Sequence, residues 1–400
     1  MQHTGALAQK FFQTPARMAD KTIERSVFRG YLITADASRR DWLHALVYET
    51  GQATLQVSLD RYPEPSELRQ FARQLDPDFV VLDFLYPEAA CAIIAMMREK
   101  WPRCAWIGVD GGSGVCPATV AFPGHLEDIE RALCHAVHAL PRASTNSRLY
   151  AFVPAKAGCG ASTLAWNAAF ACARAPQGRV LLVEADLRAG ALSFLLKTPP
   201  SGSTQSALRA IHTGDEHAVR VAFTNVDRVE MLLSSRAAMD PAPRWDSYFH
   251  LLSLVRPRYD VVLVDLPELV NAGSSEVARA ADAVFVVTTP ELLPLKLAEH
   301  RCLDLEQWGV EPKKIRLLLN RAQRSELSAR DVEENLHRPV AESFPNDYHA
   351  VRKATLNGGA VDADSALGRA FAHFTSTLQP FAAASGASQG GLMSFLNRLR

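Results

Sequence analysis

Two kinds of segment alternate along the chain, short runs rich in Val, Leu and Ile and longer stretches with apolar residues three to four positions apart. The short runs are typical of strands buried on both faces of a sheet, and the longer stretches are typical of helices that cover a sheet. In the first part of the sequence the predicted elements are, in order, a strand at Tyr31–Ala35, a helix at Arg39–Glu49, a strand at Thr54–Leu59, a helix at Glu64–Leu75, a strand at Phe79–Leu82, a helix at Pro87–Trp101, strands at Ala105–Val109 and Thr119–Phe122, and a helix at Leu126–Leu140. This alternation predicts βαβ units and a parallel sheet.

A second series of the same kind begins near residue 148. Its predicted strands are Leu149–Pro154, Val180–Glu184, Val229–Leu233, Val261–Asp265, Ala283–Thr288 and Ile315–Asn320. The clearest helical patterns are Ser162–Arg174, Pro294–Trp308 and Gly368–Phe381. The sequence therefore predicts a second parallel sheet with helices on both faces.

A polar, turn-rich segment separates the two series and divides the chain into domains. We predict an α/β fold with two doubly wound parallel sheets. The predicted parts are a flexible arm at 1–28, a flavodoxin-like domain at 29–140, a linker at 141–147, a larger α/β domain at 148–381 and a flexible tail at 382–400. Within the tail, the apolar residues of Leu392–Arg400 fall on one face of a short amphipathic helix.

The charge balance and the cysteines narrow the class of protein. The 400 residues include 43 Lys and Arg against 43 Asp and Glu, so the formal net charge is zero and nucleic acid is not expected as a partner. The seven cysteines are odd in number and contain no CxxC pair, which predicts reduced thiols. Because neither a signal peptide nor an apolar stretch of about 18 residues occurs, we expect a cytoplasmic protein.

A glycine-containing turn between a predicted strand and a predicted helix is the strongest candidate for chemistry. There, backbone N–H groups and a helix N-terminus can surround a phosphate. The candidate nucleotide-binding residues in this phosphate loop are Lys156, Gly158, Cys159, Gly160, Ala161, Ser162 and Thr163. The loop departs from the general GxxxxGK[ST] pattern, because Ala155 stands at the first glycine and Ala161 at the lysine.

The position of Lys156, five residues before Ala161, resembles the deviant Walker A loop (KGGxGK[ST]) of the MinD/ParA (SIMIBI) ATPases, with Ala157 in place of a further glycine. Later segments resemble other motifs of these ATPases in the same order. They are Glu184–Asp186 for the DxD switch segment, Tyr259–Asp265 for Walker B, Leu318–Arg321 for adenine recognition, and Phe344–Asp347 with Ala354–Gly359 for the later (I/F)PxD region. The resemblance implies a MinD-like P-loop NTPase fold that binds ATP and Mg²⁺.

The resemblance also implies roles for individual residues. Lys156 would reach the nucleotide of the partner subunit in a homodimer. Ser162 would bind Mg²⁺, and Asp265 would bind it through water. Asp186 would position the attacking water. Asn320 would read the adenine, and Arg321 would bind the nucleotide in the same segment. We expect Glu184 to orient Asp186 or a backbone group and Cys159 to be a small packing residue.

A receiver-like N-terminal domain joined to an ATPase whose loop reads GCGAST resembles the CpaE/TadZ group, which localises Tad/Flp-type (type IVc) pilus assembly. That resemblance implies partners in the pilus or secretion machinery, localisation at the inner membrane or cell pole, and peripheral membrane contact through the tail. The group often carries a small residue at the position of Ala161. Without the lysine that neutralises the β- and γ-phosphates, we expect ATP binding with slow or negligible hydrolysis.

Asp83 follows a predicted strand at the position where response-regulator receivers carry the phosphorylated Asp. A receiver also needs an acidic pair after the first strand, a Thr or Ser after the fourth and a Lys before Pro after the fifth. Here the first strand supplies only Asp36, Asp110 follows the fourth strand, and no lysine precedes Pro123. Asp83 is therefore interpreted as a degenerate phosphoacceptor position in a domain that serves as a docking or dimer surface.

Two other functions remain open from the sequence. One is an actively hydrolysing positioning ATPase of the ParA or MinD type, or its relative in cellulose secretion. The other is a scaffold that binds no nucleotide and keeps the fold only as an interaction surface.

Overall fold

The computed structural model describes residues 28–64, 66–68, 70, 76–139, 147–174, 178–213, 215–235, 243–323 and 327–378. Most of the predicted arm, linker and Glu64–Leu75 helix lie outside these residues, as does the tail with Leu392–Arg400. None of the helices within the described ranges combines the length and apolar character needed to cross a bilayer.

The N-terminal domain contains a five-stranded parallel sheet of the flavodoxin-like order β2-β1-β3-β4-β5. Its strands are β1 (Phe28–Ile33), β2 (Ala53–Leu59), β3 (Phe79–Asp83), β4 (Ala105–Val109) and β5 (Ala118–Val120). Its helices are α1 (Ala37–Glu49), α2 (Pro87–Met97) and α3 (Leu126–His138). Successive strand residues face opposite sides: Leu32 and Val81 pack with α1 and α3, whereas Ile33 and Leu82 pack with α2.

The second domain contains an eight-stranded sheet in the order β13-β12-β11-β6-β10-β7-β9-β8. The strands are β6 (Arg148–Pro154), β7 (Val180–Glu184), β8 (Thr224–Val226), β9 (Val229–Leu232), β10 (Val261–Asp265), β11 (Ala283–Thr288), β12 (Ile315–Ala322) and β13 (Val340–Pro345). The helices are α4 (Ala161–Ala173), α5 (Leu192–Leu195), α6 (Thr204–Thr213), α7 (Glu216–Val221), α8 (Trp245–Val255), α9 (Ala272–Ala280), α10 (Leu292–Gln307), α11 (Ala329–Leu336), α12 (Tyr348–Asn357) and α13 (Ala366–Leu378). Two single-turn 3₁₀ helices lie at Arg256–Arg258 and Pro312–Lys314.

The predicted fold class, α/β with two parallel sheets, is confirmed, and two edge strands were not predicted. All pairings of the second sheet are parallel except that β8 runs antiparallel to β9. Strand β8 spans three residues and β13 is mostly half-buried. Neither forms the apolar run by which the buried strands are predicted, because an edge strand is covered less completely.

Helix α4 fixes where the phosphate loop lies. It follows β6, packs against β6, β7 and β10 on one side and against α13 on the other, and is buried along most of its length. Its many alanines have no long side chains to hold it away from the sheet. Inside this packing, Asn167 accepts a hydrogen bond of 2.8 Å from the N–H of Val361. The start of α4 is therefore held firmly at the carboxyl edge of the central strands.

An aromatic cluster joins the two domains. Trp245, at the start of α8, stacks on Phe28 of β1 with the ring centroids 5.7 Å apart and the planes 14° from parallel. Phe249, one turn later, lies 5.6 Å from the same ring. Beside this cluster, Arg244 donates hydrogen bonds to the Thr50 carbonyl (3.0 Å) and to the buried Asp246 carboxylate (2.9 Å). Both apolar burial and polar contacts therefore link α8 to the N-terminal domain.

A Trp245→Ala substitution tests this interface. We expect it to lower the free energy of unfolding by about 3 kcal/mol, because a large buried ring is replaced by a cavity. Urea unfolding followed by circular dichroism measures the change. Tyr48→Ala is the control, since Tyr48 is 73% exposed on the same N-terminal domain and its loss should cost less than about 0.5 kcal/mol. Equal effects of the two substitutions would contradict the interface.

Candidate functional site

The phosphate loop at residues 155–160 joins β6 to α4 through two glycines in the left-handed conformation. Gly158 has φ of 85° and Gly160 has φ of 94°, and side chains other than glycine are strained in this region. The loop is anchored at its start by the N–H of Ala155, which donates to the Val287 carbonyl at 2.9 Å. At its end, the N–H of Leu164 donates to the Gly160 carbonyl at 2.9 Å and begins the helix.

Two residues at the end of β12 hold this loop from outside. The Asn320 side-chain amide donates to the Cys159 carbonyl at 2.8 Å, and the Arg321 guanidinium donates to the Gly158 carbonyl at 3.0 Å. A Cβ atom at Gly160 would lie 2.3 Å from the Asn320 amide nitrogen, so a larger residue cannot occupy this position without a shift. We call this arrangement the loop clamp. Because Asn320 packs so closely against the loop, the glycine at position 160 is a packing requirement.

The contacts of Asn320 bear on its predicted role in adenine recognition. Its amide nitrogen donates to the loop, and its amide oxygen accepts the N–H of Arg321 at 2.9 Å. Arg321 has φ of 55°, which places it in the left-handed region and turns its side chain back toward the loop. Reading of the adenine by Asn320 and nucleotide binding by Arg321 stay predictions. The structure adds contacts of both residues to the phosphate loop that the sequence did not indicate.

The first turn of α4 brings the predicted phosphate and metal residues together. Ala161 is buried, and Ser162 and Thr163 are half-buried. Burial raises the pKa of the Asp265 carboxylate, and the Ser162 hydroxyl contacts that carboxylate and opposes the rise. Burial raises the pKa of the Cys159 thiol. The nearby charges of Lys156, which is half-buried, and of Arg321 oppose that rise. A raised pKa favours the unreactive thiol, as expected for a packing residue.

Asp265 ends β10 as a carboxylate almost sealed from solvent. Burial raises its pKa from 3.8 to about 8, and the charges of Glu184 and Asp186 add to that rise, whereas Ser162 opposes it. Its Oδ1 atom is buried and has no hydrogen-bond partner among the described residues. A buried oxygen of this kind, next to a hydroxyl, lacks a positive partner.

These donors fit Mg²⁺. The ion prefers hard oxygen ligands and is bound in proteins through one or two carboxylates together with phosphate and water. Ser162 and Asp265 supply a hydroxyl and a carboxylate of that kind. The described ranges hold no group of three or more His, Cys, Asp or Glu that could form a complete protein cage for a metal. This donor set therefore suits an ion that arrives with a phosphate ligand.

Glu184, in register with Asp265 on the neighbouring strand, is compensated by the backbone. It accepts the N–H of Leu192 at 2.9 Å and, from Ser234, both the N–H at 2.7 Å and the hydroxyl at 2.8 Å. Burial raises the pKa of Glu184, and these hydrogen bonds oppose the rise. Glu184 therefore orients backbone groups at Leu192 and Ser234, which is one of the two roles expected for it.

Asp186 lies two residues beyond the end of β7 at the same edge. One of its carboxylate oxygens accepts the N–H groups of Arg188 (3.2 Å) and Ala189 (2.8 Å), which folds the following turn. Asp186 also lies near enough to Asp265 to raise the pKa of that carboxylate. Positioning of a water molecule by Asp186 stays a prediction.

At the carboxyl edge of the N-terminal sheet, an arginine occupies the surroundings of Asp83. The buried Asp83 carboxylate accepts the Thr34 hydroxyl at 2.7 Å and two bonds from Arg39, at 2.7 and 2.9 Å. Arg39 also bonds Asp110 at 2.6 Å and lies 4.1 Å from the centre of the Phe122 ring. Sequence reasoning missed Arg39. The sequence feature that could have indicated it is a basic residue on the first helix, three positions after Asp36, near the acidic residues of this edge.

Comparison with known proteins gives independent evidence on the fold of the second domain. No family model matches the chain. The chain is 30% identical over 128 residues to a putative septum site-determining protein MinD from Oltmannsiellopsis viridis, a match that covers 28% of this chain and only 40% of that protein. It is 26% identical over 223 residues to a putative MinD from Mesostigma viride, with 52% of this chain and 74% of that protein covered.

A solved structure shows the same fold. The crystal structure of a ParA family ATPase from Chlorobium tepidum TLS superposes with a TM-score of 0.53 and 24% sequence identity, covering 58% of this chain and 99% of that one. The N-terminal domain is too short to supply this share, so the match includes the second sheet. The chain therefore contains an α/β domain with a MinD/ParA-like ATPase fold.

An Asp265→Asn substitution tests the buried carboxylate. Without Mg²⁺ and nucleotide, the folded protein keeps a proton on Asp265 between its ordinary pKa of 3.8 and its raised pKa of about 8, whereas the unfolded chain has released it. The parent should therefore lose stability relative to D265N as the pH rises through this window. Thermal unfolding between pH 5 and pH 8.5 measures this difference. Asp364→Asn, at an exposed position, should keep the parental slope, and a parental slope in D265N would contradict the raised pKa.

Proposed function

We propose that the protein binds ATP and Mg²⁺ at the phosphate loop, hydrolyses ATP slowly or not at all, and dimerises around the nucleotide to localise a Tad/Flp-type (type IVc) pilus assembly machinery. The observation that carries this proposal is the phosphate loop itself. Its clamped glycine backbone leads into Ser162, which contacts Asp265, and the Oδ1 atom of Asp265 has no hydrogen-bond partner in the described part of the chain. Ala161 stands where a P-loop lysine would be.

ATP binding is supported by features that each match one part of the ligand. The turn at Gly158 and Gly160 and the start of α4 offer backbone N–H groups to phosphate oxygens. Ser162 and Asp265 offer oxygen ligands to Mg²⁺. Without the ion, the raised pKa of Asp265 reflects the cost of ionising a buried carboxyl group that has no cationic partner. Mg²⁺ with ATP would supply that partner.

Slow hydrolysis follows from the position of Ala161. The methyl group of this residue is buried and carries no charge, so the α4 position that faces the phosphates in other P-loop proteins contributes no cation. In residues 155–163, all of which are described, Lys156 is the one cationic side chain. Charge that develops on the phosphates during hydrolysis would therefore be stabilised less, and each 1.4 kcal/mol of lost stabilisation slows the reaction about tenfold.

Homodimer formation is supported by the surface around the loop. Phe194, Leu269 and Leu292 are each more than 80% exposed and follow β7, β10 and β11, at the same edge of the sheet as the phosphate loop. Large apolar side chains that surround a polar centre are typical of a protein interface. In such a dimer, Lys156 would reach the nucleotide bound by the partner subunit.

The proposed role in pilus localisation rests on the pairing of the two domains. In the N-terminal domain, Arg39 already neutralises Asp83, which supports a docking surface over a phosphorylation site. Leu85 and Tyr86, directly after β3, are exposed apolar residues that such a surface would use. We place the protein in the cytoplasm, recruited to the inner membrane or pole by pilus or secretion proteins, with the tail as a peripheral membrane contact and no role for nucleic acid.

An actively hydrolysing positioning ATPase is the second candidate, because the chain is similar in sequence to proteins named MinD, which are described as septum site-determining. Asp186, Asp265 and Ser162 would then serve the same site with turnover. A nucleotide-free scaffold is the third. Nucleotide binding separates the third candidate from the others, and turnover separates the first from the second.

Titration with a fluorescent ATP analogue and Mg²⁺ tests the site. We expect saturable binding by the parent and none by Gly160→Val, because the new Cβ would meet Asn320. Gly114→Val is the matched control, since Gly114 also has a positive φ (104°) but lies in open space in the N-terminal domain. Absence of binding by the parent would support the scaffold. ATP turnover by the parent at about 1 s⁻¹ or faster, the range of competent phosphoryl-transfer enzymes, would instead establish the second candidate.

A Lys156→Ala substitution tests the dimer. We expect ATP-dependent dimerisation, measured by light scattering after size exclusion, to weaken about tenfold or more, as for loss of one hydrogen bond between charged groups. Lys313→Ala should behave as the parent, because Lys313 is highly exposed at the opposite edge of the sheet. Dimerisation of Lys156→Ala as tight as that of the parent would contradict the action of this lysine across the interface.

A further inference from the structure

Helix α12 packs small residues inward and leaves large apolar residues in solvent. Ala354 is buried, and Ala350 and Val351 pack against the core of the second domain. On the opposite side of the helix, Tyr348 is 69% exposed and Leu356 is 59% exposed. Burial of apolar surface alone would favour the reverse arrangement, with the large side chains inside. The outer side of α12 is therefore available for contact with a partner.

Two cations lie on the same side of the helix. Residues four positions apart are neighbours on a helix surface, so Arg352 lies between Tyr348 and Leu356. Lys353 is next to this row. Both basic residues are exposed, and neither forms an ion pair with the residues that the structure describes. Helix α12 itself contains no Asp or Glu, and the carboxylate of Asp347 before it accepts a backbone N–H of the first turn at 2.9 Å.

A third cation lies at the end of the helix. The Nζ atom of Lys197, just after α5, donates to the Leu356 carbonyl at 2.7 Å, which fixes its positive charge at the C-terminus of α12. The two segments pack closely, since a Cβ atom at Gly358 would lie 2.6 Å from the Leu196 carbonyl oxygen. Lys197 has no carboxylate partner in the described ranges. We call this surface the α12 face; its members are Tyr348, Arg352, Lys353, Leu356 and Lys197.

This combination of side chains fits an anionic lipid surface. Long basic side chains lay their apolar stems on the boundary of a bilayer while their charged heads reach lipid phosphates. A tyrosine has an apolar ring and a polar tip and suits the same boundary. Nucleic acid would use the cations but would leave Leu356 in water, because phosphate contacts dominate that kind of binding. We propose that the α12 face binds the surface of a bilayer that contains anionic phospholipids.

The proposal deepens the membrane localisation proposed above, because it adds a folded surface to the contact assigned to the tail. The two contacts are separable by substitution, since the α12 face comprises position 197 and positions 348–356, whereas the tail begins at position 382. Attraction of basic residues to an anionic surface falls off within a Debye length. Binding through the α12 face should therefore weaken as the salt concentration rises.

Sedimentation of the full chain with lipid vesicles tests the α12 face. The vesicles consist of phosphatidylcholine with phosphatidylglycerol, or of phosphatidylcholine alone. F395S/L396S is the background, so that the apolar side chains of the tail contribute less. In that background we expect binding to the phosphatidylglycerol vesicles, at least about tenfold weaker after R352Q/K353Q. K100Q/R103Q is the matched control and should change affinity less than twofold, because both residues are exposed on the N-terminal domain and form no ion pair with the described residues.

The apolar part of the α12 face is tested by Y348S/L356S. We expect this double substitution to weaken binding to the phosphatidylglycerol vesicles about tenfold, because two apolar side chains no longer leave water. Its thermal unfolding should match that of the parent, since both side chains are exposed.

Other results would overturn the proposal. Equal binding by R352Q/K353Q and K100Q/R103Q would contradict the α12 face, as would equal binding to vesicles with and without phosphatidylglycerol. If F395S/L396S alone abolishes sedimentation, the α12 face is wrong and the tail carries the whole contact, so the membrane contact in the proposed function stands. Binding of duplex DNA that R352Q/K353Q weakens and Y348S/L356S does not, without binding to vesicles, would assign the face to nucleic acid instead.

Discussion

Two carboxylates are buried side by side at the ends of neighbouring strands, and the surrounding segments of the second domain must compensate for their burial. Asp265 and Glu184 lie in register on β10 and β7, and burial of a charge costs several kcal/mol unless it is paired. Glu184 is satisfied by Leu192 and Ser234, and those hydrogen bonds fix the loops after β7 and β9. Asp265 contacts the Ser162 hydroxyl, and its Oδ1 atom has no hydrogen-bond partner among the residues that the structure describes. Hydrogen bonds therefore compensate the burial of Glu184, whereas the burial of Asp265 is compensated only in part among the described residues.

The loop clamp shows how a phosphate loop keeps its shape without the usual lysine. Its backbone is in the left-handed conformation at Gly158 and Gly160, and two carbonyl groups of the loop accept hydrogen bonds from Asn320 and Arg321 of β12. This support comes from side-chain hydrogen bonds and does not depend on a bound ligand. The shape of the loop is therefore maintained by β12 without a lysine at position 161, where Ala161 contributes only a methyl group.

Buried strands were predictable from sequence because each is a continuous apolar run between polar turns. The predicted bounds of Val180–Glu184, Val261–Asp265 and Ala283–Thr288 agree with the structure. The positions of Asp265 and Ser162 at one edge followed from the parallel sheet. Contacts between distant segments did not follow, because a sequence pattern carries no information on which side chain meets which. Arg39 on Asp83 and Asn320 on Cys159 are of this kind, separated by 44 and 161 positions.

The contact between the two domains lies close in the chain to Asp265. Helix α9 begins directly after the segment 266–271 that follows Asp265, and its buried Glu276 pairs with His138 at the end of α3. The neighbouring helix α8 carries Trp245 into the aromatic cluster. A change in segment 266–271 must therefore be absorbed within those few residues or be transmitted to α9 and the N-terminal domain, since packed helices move as units. The N-terminal domain is thus in contact, through α8 and α9, with the segment that follows β10, although the sequence places a linker and more than a hundred residues between them.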